Sequence, residues 1–103
     1  MSIESFSSKD PAAMETFTID ITNHVNVAET IVSASAAISL KSGPDTATDF
    51  SPMLSGSTTF LGNKVSQSVT AGVNGCYYYI KYTVVTTQQR LVITCIIPVS
   101  IGA

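Results

Sequence analysis

His24 is the only histidine, Cys76 and Cys95 are the only cysteines, and all seven carboxylates fall in the first fifty residues. A nucleophilic triad needs an imidazole held between a nucleophile and an acid, so any triad here has to be built around His24. That residue stands in Thr22-Asn23-His24-Val25-Asn26, a turn-like connection where an exposed loop histidine is the ordinary outcome. One imidazole and two distant thiols do not compose a four-ligand zinc site. Asp20 and Glu29 are carboxylates that could pair for acid–base work, but nothing else converges on them, and an Asp at a strand end commonly bonds a turn N–H. Gly72-Val73-Asn74-Gly75 is glycine-bearing but leads into a strand, whereas a phosphate-cradling loop opens a helix. A hairpin turn with positive φ at the glycines accounts for it. These residues point to no catalysis, no metal and no cofactor.

Tyr77-Tyr78-Tyr79, with Tyr82, is the unusual cluster. Side chains alternate along a strand, so Tyr78 and Tyr82 share one face while Tyr77, Tyr79 and Lys81 share the other. Core packing accounts for the first set. The second lies on an outer sheet face, where contact with another protein, plain packing, and sugar or peptide binding are the readings. A tyrosine suits an interface because its large apolar ring carries a polar tip.

The elements that position these residues are strands. Alternation with period two recurs between Gly, Pro, Asn and Asp, and helical periodicity is nearly absent. Residues 1–15 read as an extended, exposed N-terminal arm turning at Lys9-Asp10-Pro11, and residues 16–103 as one domain. Phe17, Ile19 and Ile21 form one face of the first strand of that domain. Val32, Ala34, Ala36, Ile38 and Leu40 form a face of the next, whose small side chains suggest close approach by a facing sheet or a neighbouring chain. Strands at Thr58–Leu61 and Lys64–Thr70 meet at a tight Gly62-Asn63 turn, with Val65 and Val69 pointing inward.

Cys76 to Val85 and Leu91 to Val99 read as a hairpin. Pairing Val84 with Ile93 puts Tyr78, Ile80, Tyr82, Val84, Leu91, Ile93, Cys95, Ile97 and Val99 on one face. In that register Cys95 lies opposite Tyr82, roughly 20 Å along the strand from Cys76, which is beyond disulfide reach. Thiols fit a reducing cytosol, with an interchain bridge as the alternative. Six or seven short strands point to an all-β fold, an antiparallel β-sandwich of immunoglobulin-like type, with a small barrel as the alternative.

Composition narrows the class further. The chain has 103 residues, 45% apolar and 12% charged, with 14 Ser and 13 Thr. That is about half the usual ~25% charge, which excludes a disordered tail and a charged helical bundle. No apolar run approaches the ~20 residues of a membrane helix. Residues 1–50 carry a net −5 and residues 51–103 a net +3. Hairpins that mix the two halves in space are one explanation; acidic and basic surfaces that stack copies head to tail are the other. Three basic residues in the second half are too few for a nucleic-acid footprint. MSIESFSSKDP has neither a basic n-region nor an apolar h-region, so synthesis in a cytosol is expected.

Set in order, Lys9-Asp10-Pro11, Phe17-x-Ile19-Asp20, Glu29-Thr30-Ile31-x-Ser33, Gly72-x-x-Gly75, Tyr79 and Thr86 to Arg90 resemble the small bacteriophage virion proteins known as fibre–tail adaptors. Ile21 and Ala36 stand where family members usually carry Trp, Val73 replaces the second glycine of the turn, and the hairpin lacks its Gly before Arg90. The resemblance implies an immunoglobulin-like sandwich in several copies within the virion. It would bind copies of itself and other tail or fibre proteins, and catalyse nothing. Lys9, Asp10, Pro11, Tyr77, Tyr79 and Lys81 are the expected interface residues. No nucleic acid, membrane or small-molecule substrate is expected. The alternatives are a capsid decoration protein of the same fold and a carbohydrate or host-surface binding module using Tyr77, Tyr79 and the Gly72–Gly75 loop.

Overall fold

A computed structural model of the chain describes residues 3–101 and forms an all-β sandwich of seven strands. These are β1 (Ile3–Ser5), β2 (Glu15–Asp20), β3 (Ile31–Ser42), β4 (Leu54–Leu61), β5 (Lys64–Val69), β6 (Tyr77–Thr86) and β7 (Arg90–Pro98). One sheet has the order β1-β7-β6-β3 and the other β2-β5-β4; every pairing is antiparallel except β1 with β7. The core lies between the sheets and consists mainly of the inward rows of β2, β5, β6 and β7. Tyr82 ties the two layers together, its hydroxyl donating 2.7 Å to the Phe17 carbonyl on β2. Tyr78 and Tyr82 are both fully buried, as core packing requires.

The β6–β7 faces agree with the alternation, but the register differs by two residues. Val84 pairs with Leu91 and Tyr82 with Ile93, so Cys95 lies opposite Ile80 rather than Tyr82. A two-residue shift preserves every facing, so alternation alone does not distinguish the registers. Both thiols are buried and form no disulfide.

β3 departs at its start. A register irregularity between Ile31 and Ser33 turns Ile31 toward the core and leaves Val32 60% exposed. The Val32 row therefore begins at Ala34. In β4, Gly56, Ser57 and Thr58 stand against the single residue Gln67 of β5, because Ser55 pairs with Ser68 and Thr59 with Ser66. Gly56 takes φ +72° there, a conformation that favours glycine. Gln67 fills the bulge from the core side. Its amide donates to the carbonyls of Ser55, Gly56 and Ser68, and its oxygen accepts from the Thr58 hydroxyl at 2.6 Å.

Candidate partner-binding face

The outer surface of the four-stranded sheet is set by register. Ser39, Tyr79 and Ile96 form one row across β3, β6 and β7; Ala37, Lys81 and Thr94 form the next, followed by Ser35, Thr83 and Val92. Tyr77 extends the face opposite Pro98 and is 47% exposed. The Lys41 ammonium lies 5.9 Å from the Tyr77 ring centroid, near the outer limit of cation–π range. β3, β6 and β7 contain Lys41, Lys81 and Arg90 but no carboxylate, so the part of the face that these three strands form is aromatic and cationic.

Small residues on β3 leave a trough beside larger ones on β6. Ala37 and Ser39 border it on one side, Tyr79, Lys81 and Thr94 on the other, and its volume is about 370 Å³. The sequence places Tyr77, Tyr79 and Lys81 on one face; it does not single out Ala37 and Ser39 as the trough, although the Ser/Ala run hinted at close approach.

The second sheet has a hollow of its own, about 610 Å³ beside Thr59, Leu61 and Lys64, but its β2–β5 surface has a different character. Thr16 bonds Ser68 at 2.9 Å and Thr18 bonds Ser66 at 2.8 Å, hydroxyl to hydroxyl across β2 and β5. These side chains satisfy one another in cross-strand pairs.

Residues 9–11 serve the fold at the sandwich end where β6 begins. Lys9 is completely buried, and its ammonium donates to the carbonyls of Ala71 at 2.6 Å and Asp10 at 2.8 Å. Burial lowers its pKa, and the charges of Glu15 and Asp10 counter that shift. Ala71 adopts φ +60°, the left-handed region costly for a residue with a Cβ, and its carbonyl is held by Lys9. The backbone of Lys9 bridges to Val99, and its N–H donates to Pro98. Asp10 and Pro11 remain half-exposed.

The candidate chemical residues also have structural partners. Each of the four Asp residues accepts the N–H two residues ahead: Asp10 from Ala12, Asp20 from Thr22, Asp45 from Ala47 and Asp49 from Ser51. Asp45 also accepts from the buried Tyr78 hydroxyl at 2.7 Å, and that hydroxyl accepts from the Val73 N–H. Glu29 is buried at the opposite end. It accepts from the Thr86 hydroxyl, the Asn26 N–H and the Gln89 amide, and the Thr86 and Asn26 bonds hold its pKa below the ordinary glutamate value. His24 is exposed in a 3₁₀ turn, its carbonyl accepting from Gln89. Among the described residues, no group of three His, Cys, Asp or Glu is placed to hold a metal, and no helix is long and apolar enough to cross a membrane.

A family model described as podophage GP4 fiber-tail adaptor protein gp77 matches residues 9–97, from the buried Lys9 to the penultimate residue of β7. No curated protein and no solved structure matches the chain significantly.

Proposed function

The chain belongs to the podophage fiber-tail adaptor family, and from that premise we propose that it is a non-catalytic virion protein linking the tail to its fibres through the outer face of the four-stranded sheet. The observation that carries this choice of face is its tyrosine pair, since all four tyrosines of the chain lie on β6 and none on the second sheet. The β2–β5 hydroxyls bond one another, whereas Tyr77, Tyr79 and Lys81 present rings and a cation around an open trough. Aromatic rings and cations of this kind anchor protein contacts. Asp10 and Pro11, half-exposed beside the buried Lys9, are the proposed secondary contact at the end of the sandwich.

The test is the double variant Tyr77→Ser/Tyr79→Ser. Neither ring lies in the core, so folding by circular dichroism should be unchanged while fibre occupancy of the virions, counted by electron microscopy, falls. Full occupancy refutes this face. The trough beside Tyr79 also favours a carbohydrate-binding reading, which binding of the isolated protein on a glycan array would support.

A further inference from the structure

The trough on the outer face of the four-stranded sheet is lined by hydrogen-bond donors that the chain itself does not use. Ser39, Tyr79 and Thr94 bring hydroxyls and Lys81 an ammonium to one hollow of about 370 Å³. Among the described residues, none of these four side-chain groups has a hydrogen-bond or ion-pair partner. Register explains why they stay open. Ala37 is the β3 neighbour of Lys81 and Ser39 that of Tyr79, and both are too short to cover what stands beside them.

Other surface groups do find partners within the chain. Thr16 bonds Ser68 and Thr18 bonds Ser66. The larger hollow on the second sheet contains Lys64, but Asp20 stands opposite that residue in register and feels its charge. Lys81 has no such neighbour. β3, β6 and β7 carry no carboxylate, and Glu4 of β1 is separated from β6 by the whole of β7.

We infer that the trough receives an aspartate or glutamate side chain of the tail or fibre protein seated on this face. The inference rests on the reading of that face given above and names the chemistry of its partner. An ammonium only donates, so it fixes the sign of the occupant, while each hydroxyl can turn its hydrogen toward the same acceptor. A carboxylate only accepts, and its two oxygens offer about four lone-pair sites to four donors. The Ala37 methyl and the Tyr79 ring supply apolar walls for the stem that carries it. A neutral sugar both donates and accepts and leaves the ammonium without a counter-charge. An exposed ion pair is worth little in water, but one covered by a partner is desolvated, and placing a like charge there is strongly unfavourable. Lys81 therefore selects the partner, and the tyrosines supply the contact area.

The experiment counts fibres on virions carrying Lys81 variants. Lys81→Arg should keep occupancy within twofold of the unsubstituted virion, Lys81→Met should lower it severalfold, and Lys81→Glu should lower it at least tenfold. The purified variants should keep the same circular dichroism spectrum, and Lys81→Met carries the test if Lys81→Glu does not fold. Second-site suppressors of Lys81→Glu should change an Asp or Glu of a tail or fibre protein to Lys or Arg. Suppressors at a carboxylate of this chain would seat a second copy in the trough and overturn the assignment. Full occupancy in Lys81→Glu and Lys81→Met, with loss in Tyr77→Ser/Tyr79→Ser, would overturn the carboxylate and leave the face standing. Full occupancy in all of these variants would overturn both.

Discussion

Replacing Gln67 by leucine tests whether one core amide holds the β4 bulge. The side chain is 2% exposed and engages the bulge from beneath. Its Nε2 has two hydrogens. One is directed at the Ser68 carbonyl at 2.9 Å, and the other is shared between Ser55 and Gly56 at 3.3 and 3.2 Å. With the Thr58 hydroxyl on Oε1 this makes three effective neutral bonds. At ~0.5–1.5 kcal/mol each they amount to about 3 kcal/mol. A leucine in the same space recovers about 1 kcal/mol of apolar burial, leaving a net loss of about 2 kcal/mol. For a domain of ~100 residues that lowers Tm by roughly 8–16 °C. Urea denaturation with an unchanged m-value is the assay.

Gln67→Glu sharpens the test because it keeps the shape and reverses a polarity. An ionised carboxylate sets an acceptor against three carbonyl oxygens in a buried place, so its folded pKa rises above the ~4.3 of an unfolded Glu. A raised carboxylate pKa favours the folded state most below the unfolded value, and that support is lost as pH rises through the folded value. The variant should therefore be less stable than Gln67→Leu at pH 7 and recover toward it near pH 4. A loss under about 0.5 kcal/mol for Gln67→Leu, or no pH dependence in the difference between the two variants, would refute the reasoning.

A glycine pair and an acid titration supply two further checks. A Cβ on Gly43 would lie 2.6 Å from both Cα and Sγ of Cys76, at φ +120°, whereas one on Gly62 at φ +59° meets nothing within 4 Å. Gly43→Ala should cost more than ~3 kcal/mol and Gly62→Ala about 1 kcal/mol by thermal melting; equal costs would contradict the packing at Cys76. Hydrogen bonds lower the pKa values of Glu29, Asp20, Asp45 and Asp49, led in turn by Thr86, Thr22, Ala47 and Ser51. Lowered carboxylate pKa values give stability that is fully present above the unfolded values near 4 and lost as pH falls through the folded ones. Unfolding free energy should be flat from pH 7 to about 5 and decline below 4, less steeply in Glu29→Gln; an unchanged slope would remove Glu29 from the account.

Parity was legible in the sequence, and register was not. Alternation identifies the inward rows of β2, β5, β6 and β7, because burial on one face imposes period two. The hairpin register depends on Thr86, whose hydroxyl accepts from the Gln88 and Gln89 N–H groups and donates to Glu29, 57 residues away in sequence. No local pattern contains that contact. Lys9 is similar: its exposed-looking Lys-Asp-Pro context gives no sign that Ala71, 62 residues on, receives its ammonium. The bulge in β4 has one local cue, Gly56, but needs Gln67 to hold it. On the candidate face, alternation grouped Tyr77, Tyr79 and Lys81, while the trough required knowing that Ala37 pairs with Lys81 and Ser39 with Tyr79.

The same contacts explain the split of charge along the chain. All four Asp residues cap turns or loops in the first half, where Asp10, Asp20, Asp45 and Asp49 each take an N–H two residues ahead. Turns in the second half rely instead on positive-φ Gly62, Gly72 and Gly75 and on the Thr86 hydroxyl, which need no acid. Asp and Gly are alternative solutions to the same turn problem, and this choice accounts for four of the seven acids of the first half. What sets the proposed association surface apart is its pair of tyrosines with Lys81 beside an open trough, whereas the β2–β5 hydroxyls of the other sheet satisfy one another.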